Sequence, residues 1–165
     1  MTKDAQISEL INTVVKILQQ QMSKYTQIME IDKAILKMDD ELVNLEKQLE
    51  TRNSLFTQLA NMTDLIESYR AQIAKSLKTN GNSWAKVLEA KNFNGKEHLS
   101  KILQSLHQNI EEIIELEREV TTFLESRMAE VYKEIKSITQ YRELEQAYHD
   151  KPEKFPEPQV FDKIK

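Results

Sequence analysis

From Ile7 onward the apolar residues recur in steps of three and four. Ile7, Leu10, Ile11, Val14, Leu18, Met22, Tyr25, Ile28, Met29 and Ile35 keep to one face of an α-helix, which predicts a first helix over 5–38. The pattern slips at Met38-Asp39-Asp40-Glu41, where two aspartates, poor inside helices and good as N-caps, precede Leu42, Leu45, Leu49, Phe56, Leu59, Ile66, Ile73 and Leu77. A second helix over 40–78, set off from the first by a hairpin or a sharp kink, follows from this. An unbroken rod from Ile7 to Leu77 would run ~105 Å at ~1.5 Å per residue and leave its stripe in water unless something else covered it.

Thr79-Asn80-Gly81-Asn82 is expected to end the second helix, with Gly81 supplying the left-handed conformation of a helix stop. A short helix over 83–91 carries Trp84, Val87 and Leu88, and Trp84 with Phe93 is read as a plug for one end of a bundle. After a second break at Asn92-Phe93-Asn94-Gly95, Asn94 and Glu97 form the pattern of a capping box for a last helix over 95–149. Its apolar series, Leu99, Leu103, Leu106, Ile110, Ile113, Val120, Leu124, Val131, Ile135 and Ile138, resembles a coiled-coil seam interrupted at Glu117 and Arg127. Pro152 stops it, and 151–165 reads as an extended, proline-containing tail. The predicted fold is therefore all-α: an elongated antiparallel helical hairpin or bundle of three long helices and one short one, with coiled-coil-like packing and one domain over 1–150.

Composition narrows the function. Only two glycines and three prolines occur, too little punctuation for a sheet architecture. The net charge of −4, with both signs interspersed, gives no attraction to nucleic acid or anionic lipid. No apolar window is long enough to span a bilayer, and residues 1–9 lack the apolar core of a signal peptide, so a cytoplasmic protein without membrane insertion is expected. The absence of cysteine removes disulfides and thiolate metal sites.

Candidate chemistry is sparse. His98, His107 and His149 offer no metal-ligand pair at helical spacing, and none has a glutamate three positions before it. Glu111, Glu112, Glu115 and Glu119 flank the seam as a solvated face, and Gly81 and Gly95 stand alone at turns rather than in a phosphate loop. No catalytic residue, metal or cofactor is expected. The physical hint of function is the last helix, ~80 Å long at ~1.5 Å per residue, which outruns both earlier helices and is expected to project an uncovered apolar strip beyond them for a partner helix.

Within that helix, the stretch around Leu124-Glu125-Ser126-Arg127-Met128, the polar step at Gln140 to Arg142 and the closing Ala147-Tyr148 resemble the end of the flagellar type III export chaperones of the FliT and FlgN types. Met38-Asp39-Asp40 with Leu42, Leu45, Leu49 and Arg52 is similar to that family's second helix. The resemblance implies a monomeric or weakly dimeric cytoplasmic chaperone for a filament-cap or hook-associated subunit. It implies client binding through Val120, Leu124, Met128, Val131, Ile135 and Ile138, and export-gate binding through Tyr148. The sequence departs from the family in its long Asn-rich middle around Trp84 and Phe93 and in its proline-containing tail. A structural coiled-coil tether or secretion-system stalk is the alternative reading of the same seams.

Overall fold

A computed structural model describes residues 2–39, 42–90 and 92–149 of the 165. Four helices follow one another, α1 (Lys3–Leu36), α2 (Leu42–Leu77), α3 (Trp84–Leu88) and α4 (Lys96–His149), and the fold is all-α. The expected tail at 151–165 lies outside the described residues, as do Asp40 and Glu41 of the expected reversal. The chain divides into two units, Met1–Thr121 and Thr122–Lys165.

The first unit is an up-down-up arrangement. Gln21 of α1 bonds Thr63 of α2, Lys24 bonds Gln58 and Asp32 bonds Arg52, a register in which one number rises as the other falls. α1 and α2 are therefore antiparallel. α4 runs parallel to α1, since Gly95 lies against Ile11 while Met29 packs with Ile113 and Leu116. The main core gathers Ile7, Ile11, Val14 and Leu18 of α1, Ile66 and Ile73 of α2, Val87 of α3 and Leu99 and Ile102 of α4. Trp84 and Phe93 pack half-buried against it. Burying such aliphatic side chains stabilises by roughly 1.5–3 kcal/mol each.

The stop of α2 differs from the sequence expectation. Lys78, not Gly81, takes the left-handed conformation (φ 57°). The Thr79 N–H donates to the Ala74 carbonyl at 3.0 Å and the Lys78 N–H to that of Lys75 at 3.2 Å, which is the Schellman pattern of helix termination. Gly81 is needed for close approach instead. A Cβ there would sit 2.9 Å from the Ala74 Cβ, and Arg70 Nε donates to the Gly81 carbonyl at 3.0 Å. Because a left-handed lysine carries a steric penalty that glycine lacks, Lys78→Gly should raise stability by about 1 kcal/mol in urea unfolding. A loss of stability would show that the lysine side chain contributes something the backbone argument omits.

The start of α4 also differs. Lys96 opens the helix, so Gly95 (φ 86°) occupies the cap position and its carbonyl accepts the Leu99 N–H at 2.9 Å. Asn94 is one residue too early for the capping box, and Glu97 pairs with Lys101. α3 is capped by Ser83, whose hydroxyl accepts the Lys86 N–H at 3.2 Å.

Candidate functional site

Within the first unit, α4 buries Leu99, Ile102, Ile113, Leu116 and Val120. These residues belong to a seven-residue repeat running 99, 102, 106, 109, 113, 116, 120, next to the alternation expected from the sequence. Leu103 and Ile110 therefore flank the buried face and are half-buried. The next two positions of the buried repeat after Phe123 are Arg127 and Glu130. Past the boundary after Thr121 the repeat thus carries Phe123 and then a cation and an anion, side chains that are costly to bury without partners.

Near that boundary the first unit contains a charged layer. Asp32 of α1 is 0% exposed, and Arg52 Nε of α2 donates to its Oδ1 at 2.6 Å. The Nη2 of the same guanidinium donates to Glu117 Oε1 of α4, and the guanidinium carbon lies 5.0 Å from the centre of the Phe56 ring. One arginine thus ties together all three long helices. The second carboxylate oxygen of Asp32, Oδ2, is buried with no protein partner. Burial pushes the Asp32 carboxyl above its ordinary value of 3.8, while the hydrogen bond and charge of Arg52 oppose the shift. Nearby, Lys33 of α1 pairs with Glu112 of α4 at 3.6 Å, and burial raises the Tyr25 phenol.

The four glutamates read as a solvated face include three with surface partners: Glu111 faces His107, Glu112 faces Lys33 and Glu115 faces Arg118. Among the described residues no group of three or more His, Asp or Glu is placed to hold a metal ion, and no helix is long and apolar enough to cross a membrane.

The described part of the second unit, 122–149, is helix α4 alone. Its apolar residues shift by one position from the buried repeat, on the order of 100° around the helix. Leu124 is half-buried, and Met128, Val131, Ile135 and Ile138 are exposed, Met128 by 57% and the two isoleucines by 54% each. Their steps of four, three, four and three form a straight seam of two helical repeats. Beyond Ile138 the spacing changes to three, three and four. Tyr141, Leu144 and Tyr148, all exposed, therefore fall roughly a third of a turn away from the strip. Arg127 lies over the Phe123 ring, 5.6 Å from its centre, and pairs with Glu130 at 3.7 Å. Val43, Leu65 and Ile114 are exposed too, but they stand singly, as apolar surface residues ordinarily do.

Of the residues expected to bind a client, Met128, Val131, Ile135 and Ile138 form one open strip with Leu124 at its start. Val120 does not belong to it: at 1% exposure it is taken up by the core of the first unit. Tyr148 lies on a different face of the same helix. Sequence reasoning missed the charged layer. Its trace was Glu117, noted as an interruption of the seam without a partner for it. No protein-family model, curated protein or solved structure matches the chain.

Proposed function

We propose that this protein is a cytoplasmic export chaperone. It holds an unassembled flagellar subunit, a filament-cap or hook-associated protein, against the strip formed by Leu124, Met128, Val131, Ile135 and Ile138 and delivers it to the type III export gate. The observation that carries the reading is the strip itself: consecutive seam positions left open on a helix whose other long stretch spends its seam on a core. An amphipathic client helix laid along it would bury apolar surface on both partners, and masking that surface prevents premature assembly. The resemblance of the 115–150 region to the chaperone family supplies the biological setting.

Tyr148, with Tyr141 and Leu144 on its face, is assigned to the export gate. The different helical face supports this division, because a client on the strip leaves that face accessible. Tyr148→Ala is expected to leave client capture unchanged while weakening binding to the purified gate domain by roughly tenfold or more, in the range of an interface aromatic. Surface plasmon resonance against each partner separates the two effects, and an equal loss in both would refute the division.

The heptad steps of the strip also suit pairing between copies, as in a coiled-coil tether. Sedimentation equilibrium discriminates the readings. A tether forms a stable oligomer at micromolar concentration, whereas a chaperone remains a monomer or weak dimer that the client displaces.

A further inference from the structure

The two ends of the 1–121 unit are built differently. One end holds the large cluster around Ile11, Ile73 and Leu99, closed by α3 and by the half-buried Trp84 and Phe93. The other holds two small clusters, Ile28 with Leu55 and Leu59, and Met29 with Ile113 and Leu116. Between the ends, Gln21, 3% exposed, takes a core position and donates to Thr63 Oγ1 at 3.1 Å, so a polar layer interrupts the apolar packing.

At the second end α2 contributes little. Its described side chains from Val43 to Ser54 are exposed or half-buried, and Leu55 is the first that is buried. Charge occupies what would otherwise be core: Asp32 is fully enclosed with Oδ2 unpartnered, and its cation is shared with Glu117. Separating the helices here exposes the two small clusters with the buried Ile35 and Val120, less apolar surface than the large cluster holds, and returns a carboxylate and a guanidinium to water, which offsets part of the lost burial.

We infer that this end is a built-in opening point: the last turns of α1, the first half of α2 and the Ile113–Val120 turns of α4 part locally while the end around Ile11, Ile73 and Leu99 stays closed. The charged layer is the latch. It holds all three helices in register when shut, and its hydration lowers the cost of opening. This inference is independent of the chaperone reading.

Native-state hydrogen exchange on the full chain, in urea below the unfolding transition, tests it. Amides of Ile113–Val120 and of Ile28–Ile35 are expected to exchange at least about tenfold faster than those of Ile11–Leu18 and Ile66–Ala74. Ile113–Val120 lies in the middle of α4, so fraying at a helix end does not explain a fast rate there. In the variant Asp32→Leu with Arg52→Met, which replaces the charges by apolar groups, exchange at Ile113–Val120 should slow towards the rate of the closed end. One common rate at both ends of the wild-type chain would overturn the opening point, whether or not the variant folds. If the variant folds and the difference between the ends is unchanged, the charged layer is not the latch.

Discussion

Arg52→Met should destabilise the protein by about 3–5 kcal/mol at neutral pH, the range found when one member of a buried ion pair is removed and the other stays. The methionine keeps much of the volume, so the loss comes from Asp32, which is 0% exposed and would face the interior without its cation. Glu117 is partly exposed and can turn to water. Removing the anion as well, in Asp32→Leu with Arg52→Met, should recover the whole loss and leave the protein at least as stable as wild type. Urea unfolding followed by circular dichroism measures all three proteins, and an Arg52→Met variant as stable as wild type would contradict the assignment.

The same pair sets a pH dependence. Because burial raises the Asp32 carboxyl above 3.8, the folded chain holds this proton more tightly than the unfolded chain does. Where the folded state binds more protons, stability falls as pH rises. The contribution of this group is therefore fully present below 3.8 and is lost as pH climbs through the raised folded value. Arg52→Met removes the two influences that oppose the rise, so the folded value moves higher and the loss widens. The deficit of the variant relative to wild type should shrink as the solution is acidified, and a deficit that grew on acidification would have the wrong sign.

Ile135→Asp combined with Ile138→Asp should abolish client capture and leave the fold intact. Both side chains are 54% exposed, so stability should change by no more than about 0.5 kcal/mol. A central apolar anchor in an interface is worth about 2 kcal/mol or more, so losing two weakens binding roughly a thousandfold. Isothermal titration with a purified filament-cap or hook-associated subunit measures the first effect and urea unfolding the second. Undiminished affinity in the double variant would remove the strip from the account.

The all-α fold was legible because helical periodicity records which face of each helix is apolar. It does not record what covers that face. Leu99 to Ile138 reads as one continuous seam, yet burial ends at Val120, where the buried repeat meets Arg127 and Glu130 and the apolar residues move to a neighbouring face. Turn chemistry was legible only in part. Gly81 looked like the stop of α2, but Lys78 takes the left-handed conformation, and Gly81 serves a close approach to Ala74 instead.

The charged layer was hidden for a related reason. Leu18, Gln21, Tyr25, Ile28, Asp32 and Ile35 follow steps of three and four, as do Leu45, Leu49, Arg52, Phe56 and Leu59. A search for apolar residues passes over Gln21, Asp32 and Arg52, though their spacing marks them as core positions. Finding that Asp32 meets Arg52 further requires the register of the hairpin, which is set by the packing of two helices and is written in neither one alone.

Hydrogen exchange on the full chain, with and without a synthetic amphipathic helix from a cap or hook-associated subunit, tests the central claim most directly. Slower exchange across Leu124 to Ile138, with the core amides around Ile11 and Ile73 unchanged, is the predicted result. Protection confined to 1–121, or none anywhere at a saturating peptide concentration, would contradict the assignment of the strip as the place where a client is held.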